Sequence, residues 1–194
     1  MSTPEQIRLS GTSYAVLGLV KYLGSATPYD LKGAIEHSIE NFWPVPHTTF
    51  YAEPARLARA GYLLERQEGS GRRRKLYEIT ERGREALRDW VALDEFHPPQ
   101  VRDEGTLKVF FGGDPARIYA ARLAWHRAKL EELDGYLSGI TAAAAGDDEH
   151  AVAGGLDRAS IEGMRMSLVA GTTYHRMHIE AIEQFFAGRV NPTT

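Results

Sequence analysis

The sequence predicts a mostly α-helical protein with one two-stranded β-ribbon, built from two parts of different character. Three observations predict it. Helix start signals and helical apolar spacing recur between residues 12 and 93. Two β-leaning runs, around Leu63 and Tyr77, flank the turn Gly69-Ser70-Gly71, which is followed by Arg72, Arg73, Arg74 and Lys75. The second half holds two long stretches whose apolar residues step alternately by four and three.

The first helix is expected from Thr12 or Ser13 to about Leu23. It is apolar on most sides (Ala15, Val16, Leu17, Leu19, Val20), as a buried central helix should be. The second opens with Thr27 as cap, Pro28 at the first helical position and Asp30 in the first turn. Its apolar residues Leu31, Ile35, Ile39 and Phe42 fall on one face, and Trp43-Pro44 should stop it. The third is expected from Pro46 to Ala60 with Phe50, Pro54, Leu57 and Gly61 inward. That leaves His47, Thr48, Thr49 and Tyr51 near its start with polar tips outward. Gly61 ends it, Tyr62-Leu63-Leu64 begins one strand, and Leu76, Tyr77 and Ile79 form the returning one. Thr80 should cap a fourth helix reaching about Leu93, with Glu81 at its positive end and Leu87, Trp90 and Val91 toward a partner surface.

Four consecutive cations at a glycine-rich hairpin tip repel one another unless a polyanion neutralises them. A helix sized for a major groove followed by such a ribbon is the pattern of a winged helix-turn-helix that binds double-stranded DNA. The candidate DNA contacts are His47, Thr48, Thr49, Tyr51 and Arg56 on the helix, with Arg72, Arg73, Arg74 and Lys75 on the wing. Hydroxyls and an imidazole at a helix N-terminus reach phosphates or base edges, helped by the free N–H groups of the first turn. The plainer readings are that these residues only cap the helix and that the charge run is a solvated patch. A winged helix also serves as a protein–protein module without sequence-specific DNA binding, and DNA affinity separates the two readings.

Charge is distributed to match. Residues 1–91 carry 13 Lys/Arg against 11 Asp/Glu, and residues 92–194 carry 10 against 15, so the overall charge of −3 conceals a positive front half. Phosphate attraction must therefore come from local clustering. Zero cysteines exclude disulfides and thiolate metal sites and suit a reducing cytoplasm, the expected location. The apolar run Tyr14–Val20 is far too short to span a bilayer, and no membrane role or secretion is expected. An enzyme would announce a G-x-S-x-G, Walker or H-E-x-x-H pattern. The chain has none, so neither catalysis nor a cofactor is expected.

The residues that carry this reading resemble the PadR family of bacterial transcriptional regulators. They are YAVLGLV (14–20), YDLKGAIE (29–36), FWPVPHTTFY (42–51), RLARAGYL (56–63) and RRRKLYEITERGREALRDWV (72–91). The resemblance is specific over residues 13–92 and looser beyond, where the chain is similar to the larger subgroup with a long helical C-terminal half. It implies a dimeric repressor that binds an inverted-repeat operator and releases it on sensing a small molecule. Two departures stand out. Tyr51-Ala52-Glu53-Pro54 replaces the family's Tyr-Pro-x-Leu, and Pro54, lacking an N–H for the Phe50 carbonyl, should kink the helix. Pro46 stands where a Ser or Thr cap is common.

Residues 94–101 (DEFHPPQV) read as a linker, followed by a short helix from Arg102 to Phe111 ending at Gly112-Gly113. Asp114 and Pro115 start a long helix with a seam of Tyr119, Leu123, His126, Leu130, Leu133, Leu137 and Ile140. Ala142–Asp148 breaks it. The last helix, Leu156 to about Phe186, has its own seam at Ile161, Met164, Leu168, Gly171, His175, His178, Ile182 and Phe185. Neither stripe is buried by one helix alone, so an antiparallel pair meeting the same pair of a second chain, a homodimer, is expected. The resulting organisation is mostly α with a two-stranded β-wing. A winged helix-turn-helix occupies 1–93, a linker with a short helix 94–113, and a helical dimerisation and effector domain 114–194.

Three seam positions are histidines. His126, His175 and His178 read either as interior imidazoles bonded to neighbours, or as a metal site or pH-sensitive latch. Without carboxylates or cysteines at matching spacing, no metal site is assigned. Trp90, Phe110, Trp125, His126, Tyr174 and His178 are the candidate lining of a pocket for a small aromatic effector, against the plainer reading of aromatic core.

Overall fold

The structure, a computed structural model, describes residues 7–36, 38–46, 48–67, 74–95, 97–145 and 158–190. They divide into two compact units, one ending before residue 96 and one beginning at His97.

In the first unit, helix α1 (Gly11–Leu23) is closed at its start by two serines. Ser13 N–H donates to the Ser10 hydroxyl and Ser10 N–H to that of Ser13, which satisfies two donors reciprocally. Its Val16, Leu17, Leu19 and Val20 are buried. Strand β1 (Ser25–Ala26) follows, then α2 (Pro28–Glu36). Thr27 and Asp30 cap α2 mutually: Thr27 N–H and Oγ1–H both donate to the Asp30 carboxylate, and Asp30 N–H donates to Thr27 Oγ1. Helix α2 is shorter than the apolar spacing suggests. Ser38 Oγ takes the Ala34 carbonyl, while the N–H groups of Ser38 and Glu40 both turn back to Ile35. A side chain competing for a helical acceptor opens the ladder there, so Phe42 ends outside the helix and 60% exposed.

Helix α3 (Thr49–Arg59) starts three residues later than expected and runs through Pro54. Phe50, Pro54 and Leu57 form its buried face. It ends in a reversal that requires glycine. Gly61, at φ +77°, donates to the Ala58 carbonyl, and Tyr62 N–H donates to that of Leu57.

Strands β2 (Leu63–Gln67) and β3 (Lys75–Ile79) pair antiparallel with Leu63 opposite Ile79 and Gln67 opposite Lys75. The sheet has three strands rather than the expected two. Strand β1 adds to the other edge of β3, with Ala26 opposite Tyr77, in the order β1-β3-β2. Two residues are too few for any alternation to register in the sequence.

Helix α4 (Glu81–Val91) is stitched to the base of the wing. Thr80 Oγ1 accepts from Gly83 N–H and lies within hydrogen-bond reach of the Gly61 and Tyr62 carbonyls. Arg82 donates to the Ala60 carbonyl at 2.7 Å, where a cation complements a helix C-terminus. A Cβ on Gly83 would lie 2.3 Å from the Tyr62 carbonyl oxygen, so only glycine permits this approach. The core of the unit gathers α1 with Leu31 and Ile35 of α2, Phe50 and Leu57 of α3, and Leu63, Tyr77 and Ile79 of the sheet.

The second unit begins with α5 (Glu104–Phe110), capped by Asp103, whose carboxylate accepts from Thr106 N–H. Asp103 also holds Arg122 of α6 at 2.7 Å. Helices α6 (Pro115–Ala145) and α7 (Arg158–Val190) pack antiparallel. Tyr119 meets Phe185, His126 meets His175, and Arg176 reaches Asp134. The buried side chains of both helices lie on the expected seams, His126 and Leu133 on one and Ile161, His175 and Ile182 on the other, joined by Thr172. No helix among the described residues is long and apolar enough to cross a membrane.

Candidate nucleic-acid interface

Burying Phe50, Pro54 and Leu57 turns the opposite face of α3 outward by helical geometry. That face carries Thr48, Tyr51, Ala52 and Arg59, all exposed, with Ala55 half-buried between them. Tyr51 is 60% exposed, and Thr48, at the cap position, makes no side-chain bond to the helix start. The exposed Thr48 hydroxyl can meet a phosphate there, while Thr49 N–H already donates to the Pro46 carbonyl. Ala52 and Ala55 put only methyl groups in the middle of the stripe, which allows close approach to a groove floor and contact with a thymine methyl.

The wing lies beside this face. A groove of about 420 Å³ between α3 and the strands is lined by Ala55, Arg59, Leu64, Glu65 and Lys75, among others. Lys75 Nζ meets Glu65 Oε1 at 2.7 Å, and that bond is the main cause holding the Glu65 carboxyl below its ordinary range. Glu65 Oε2 accepts from the Tyr77 hydroxyl; burial, then the Glu65 charge, push the Tyr77 phenol up to about 12. Arg66 pairs with Glu78 across the ribbon at 3.4 Å. Exposed pairs of this kind contribute little and are readily exchanged for phosphate.

The sequence-predicted contacts are placed unevenly. Thr48 and Tyr51 are exposed, and Thr49 is half-buried as the first residue of α3. Arg74 and Lys75 are exposed at the start of the returning strand, whereas His47, Arg72 and Arg73 lie outside the described residues. Arg56 is the departure. Its guanidinium grips Glu53 at 2.6 and 2.8 Å, donates to the Ser13 hydroxyl at 3.0 Å and reaches the Arg8 carbonyl at 3.3 Å. Ser13 in turn donates to Glu53 at 2.7 Å. The Arg56 bonds, more than anything else, depress the Glu53 carboxyl. Arg56 therefore ties α3 to α1 instead of facing outward. Arg59, three residues on, takes the exposed position, in helical register with Thr48 and Tyr51.

The residues considered for an effector separate as well. Trp125, His126, Tyr174 and His178 come together: the His126 and His178 rings stack at 4.7 Å, and Tyr174 meets His178 edge-on at 4.4 Å. Phe110 is 80% exposed beside Phe111, and Trp90 stacks on Tyr14 at 4.5 Å within the first unit. A cleft of about 390 Å³ in the second unit has walls that include His178, Tyr119, Phe185 and Arg122, of which only His178 was anticipated as an effector contact. Among the described residues no three His, Cys, Asp or Glu side chains are arranged to hold a metal ion.

Comparison with known proteins finds relatives that share these features. Residues 16–89 match the model of the Transcriptional regulator PadR-like family. Over 138 residues the chain is 29% identical to the negative transcriptional regulator PadR of Bacillus subtilis (strain 168), covering 68% of this chain and 75% of that protein. The fold matches Bacillus subtilis PadR solved with operator DNA at a TM-score of 0.74 and 22% identity, covering 94% and 99% of the two chains. It matches the same protein solved with p-coumaric acid at 0.67 and 23%, covering 92% and 95%.

Proposed function

We propose, from the premise that residues 16–89 are a PadR-like transcriptional-regulator domain, that the chain is a sequence-specific repressor which binds an inverted-repeat operator as a homodimer and releases it when a small aromatic effector binds. It is a regulator and not an enzyme. The observation that carries the reading is the outward stripe of α3, Thr48, Tyr51, Ala52 and Arg59, lying against a wing that continues into a run of cations. Two copies of α3 one helical turn apart, about 34 Å along the duplex, would enter successive major grooves. The wings would hold the flanking phosphates and set the register, while Thr48, Thr49 and Tyr51 meet base edges.

Dimerisation is supported by apolar surface remaining on the second unit, where Leu107, Phe111, Met166 and Met177 are each more than half exposed. The cleft supports an effector: Tyr119 and Phe185 offer aromatic walls and Arg122 a cation. Since a fold neighbour was solved with p-coumaric acid, small aromatic acids are the first compounds to try. Occupancy would release the operator through a change in the spacing of the two reading helices. Such a protein works in the cytoplasm, where its DNA is.

Footprinting of the purified chain on DNA upstream of its own gene, with and without such acids, tests the reading. A protected palindrome that opens on addition of an acid is the expected result. A chain that stays monomeric, or ignores duplex DNA at low salt, would instead support a protein-contact role for the winged helix.

A further inference from the structure

At one level of the largely apolar seam between α6 and α7, three imidazoles meet. His126 is 1% and His175 4% exposed. Their Nδ1 atoms stand 2.9 Å apart, hydrogen-bond distance, and the His126 and His178 rings lie nearly parallel, 13° between planes. Trp125 lies over both buried histidines at 4.8 and 5.3 Å.

The hydrogen count in this cluster is restrictive. The Nδ1–Nδ1 gap holds one proton, so one ring donates and the other must keep its lone pair there. Charging both rings would force two N–H groups to face each other across 2.9 Å. His126 Nε2 is buried without a hydrogen-bond partner, so a proton added there has nothing to donate to. A cation on His178 would stack face to face on His126.

Among the described residues, Asp103, at the start of α5, is the carboxylate that acts on this cluster, and its charge is already engaged by Arg122 and Thr106. From α6, Arg122 and Lys129 add positive charge. Tyr174 on α7 contributes ring edges to His175 and His178.

We propose that His126, His175 and His178 form a proton-operated latch, which keeps α6 and α7 closed while at most one of the three imidazoles is charged and releases them at this level when a second proton arrives. The direction of the individual titrations agrees. Burial first, and then the neighbouring imidazoles, hold His126 down at about 4, and burial also lowers His175 and His178. A histidine depressed in the folded state and ordinary in the unfolded one takes its proton on unfolding. Its contribution is therefore intact above the ordinary value of 6.5 and lost as the pH falls from there toward about 4. The latch responds across mildly acidic pH, and it stands whether or not the chain binds DNA.

The test uses the full chain. Imidazole nitrogen shifts are followed by NMR from about pH 7.5 to 4.5, and backbone hydrogen exchange is mapped by mass spectrometry at about pH 7.5 and 5.5, corrected for intrinsic rates. The expected result is that these three histidines resist titration through mildly acidic pH, and that exchange around His126 and His175 rises at least about tenfold while α1–α4 stay protected. His178→Phe keeps a stacked ring that takes no proton and should move the onset to lower pH. If that variant fails to fold, the titration of the unaltered chain still decides. Independent titration of all three near 6.5, or acid exchange that begins in α1–α4, would overturn the proposal.

Discussion

Arg56→Ala separates a residue that holds the reading helix in place from one that touches DNA. Glu53, whose side chain is 12% exposed, would lose its two-pronged partner at 2.6 and 2.8 Å and keep only Ser13. An exposed ion pair contributes about 0–1 kcal/mol, and stranding one partner of a fully buried pair costs about 3–5 kcal/mol. With Arg56 at 32% exposure and Glu53 nearly covered, the cost belongs between these, about 1–2 kcal/mol. For a unit of this size that lowers the melting temperature by roughly 5–10 °C. The pH sign follows from the depressed Glu53 carboxyl: the network's contribution is present above its ordinary value of 4.5 and lost as the pH falls below it. Wild type and Arg56→Ala should thus converge in stability in acid. Thermal melts by circular dichroism at about pH 7 and pH 3.5, beside gel-shift titrations well below the melting point, measure both quantities. Arg59→Ala is the counterpart, expected to melt like wild type yet reduce the salt slope of DNA binding by about one unit. A normal melt for Arg56→Ala with a large loss of DNA affinity would refute the structural assignment.

Other outcomes follow from the same geometry. Replacing Arg72, Arg73 and Arg74 with Ala should weaken binding to all duplex DNA and flatten the salt slope by up to about three units, read from affinity against salt concentration. Thr49→Ala should narrow the ratio of operator to random-sequence affinity more than it lowers total affinity, measured by competition gel shift. Gly83→Ala forces a methyl against the Tyr62 carbonyl oxygen and should destabilise the first unit by about 2 kcal/mol or more, seen in urea unfolding. Gly61→Ala places a side chain at φ +77° and should cost about 1 kcal/mol, with Gly61→Asn milder, in the same assay.

The starts of α2, α4 and α6, the seams and the glycine reversal were legible because each depends on residues within a few positions of one another. Thr27-Pro28 and Thr80 cap where expected, and His126, Leu133, His175 and Ile182 are buried where the alternating steps put them. Helix α2 was overread because apolar spacing continues to Phe42 while Ser38, a competitor for the Ala34 carbonyl, interrupts the ladder first.

The order of elements, the outward stripe on α3 and the run of four cations from Arg72 to Lys75 are properties of the chain itself, since periodicity and charge density survive without knowing what lies opposite. Folding decided the rest. That Arg56 turns inward depends on Glu53 meeting Ser13 across 40 positions of sequence, and the pairing of His126 with His175 spans 49. Strand β1 exists because β3 offers it an edge. Such pairings cost chain entropy that only the assembled core offsets, so no local pattern announces them.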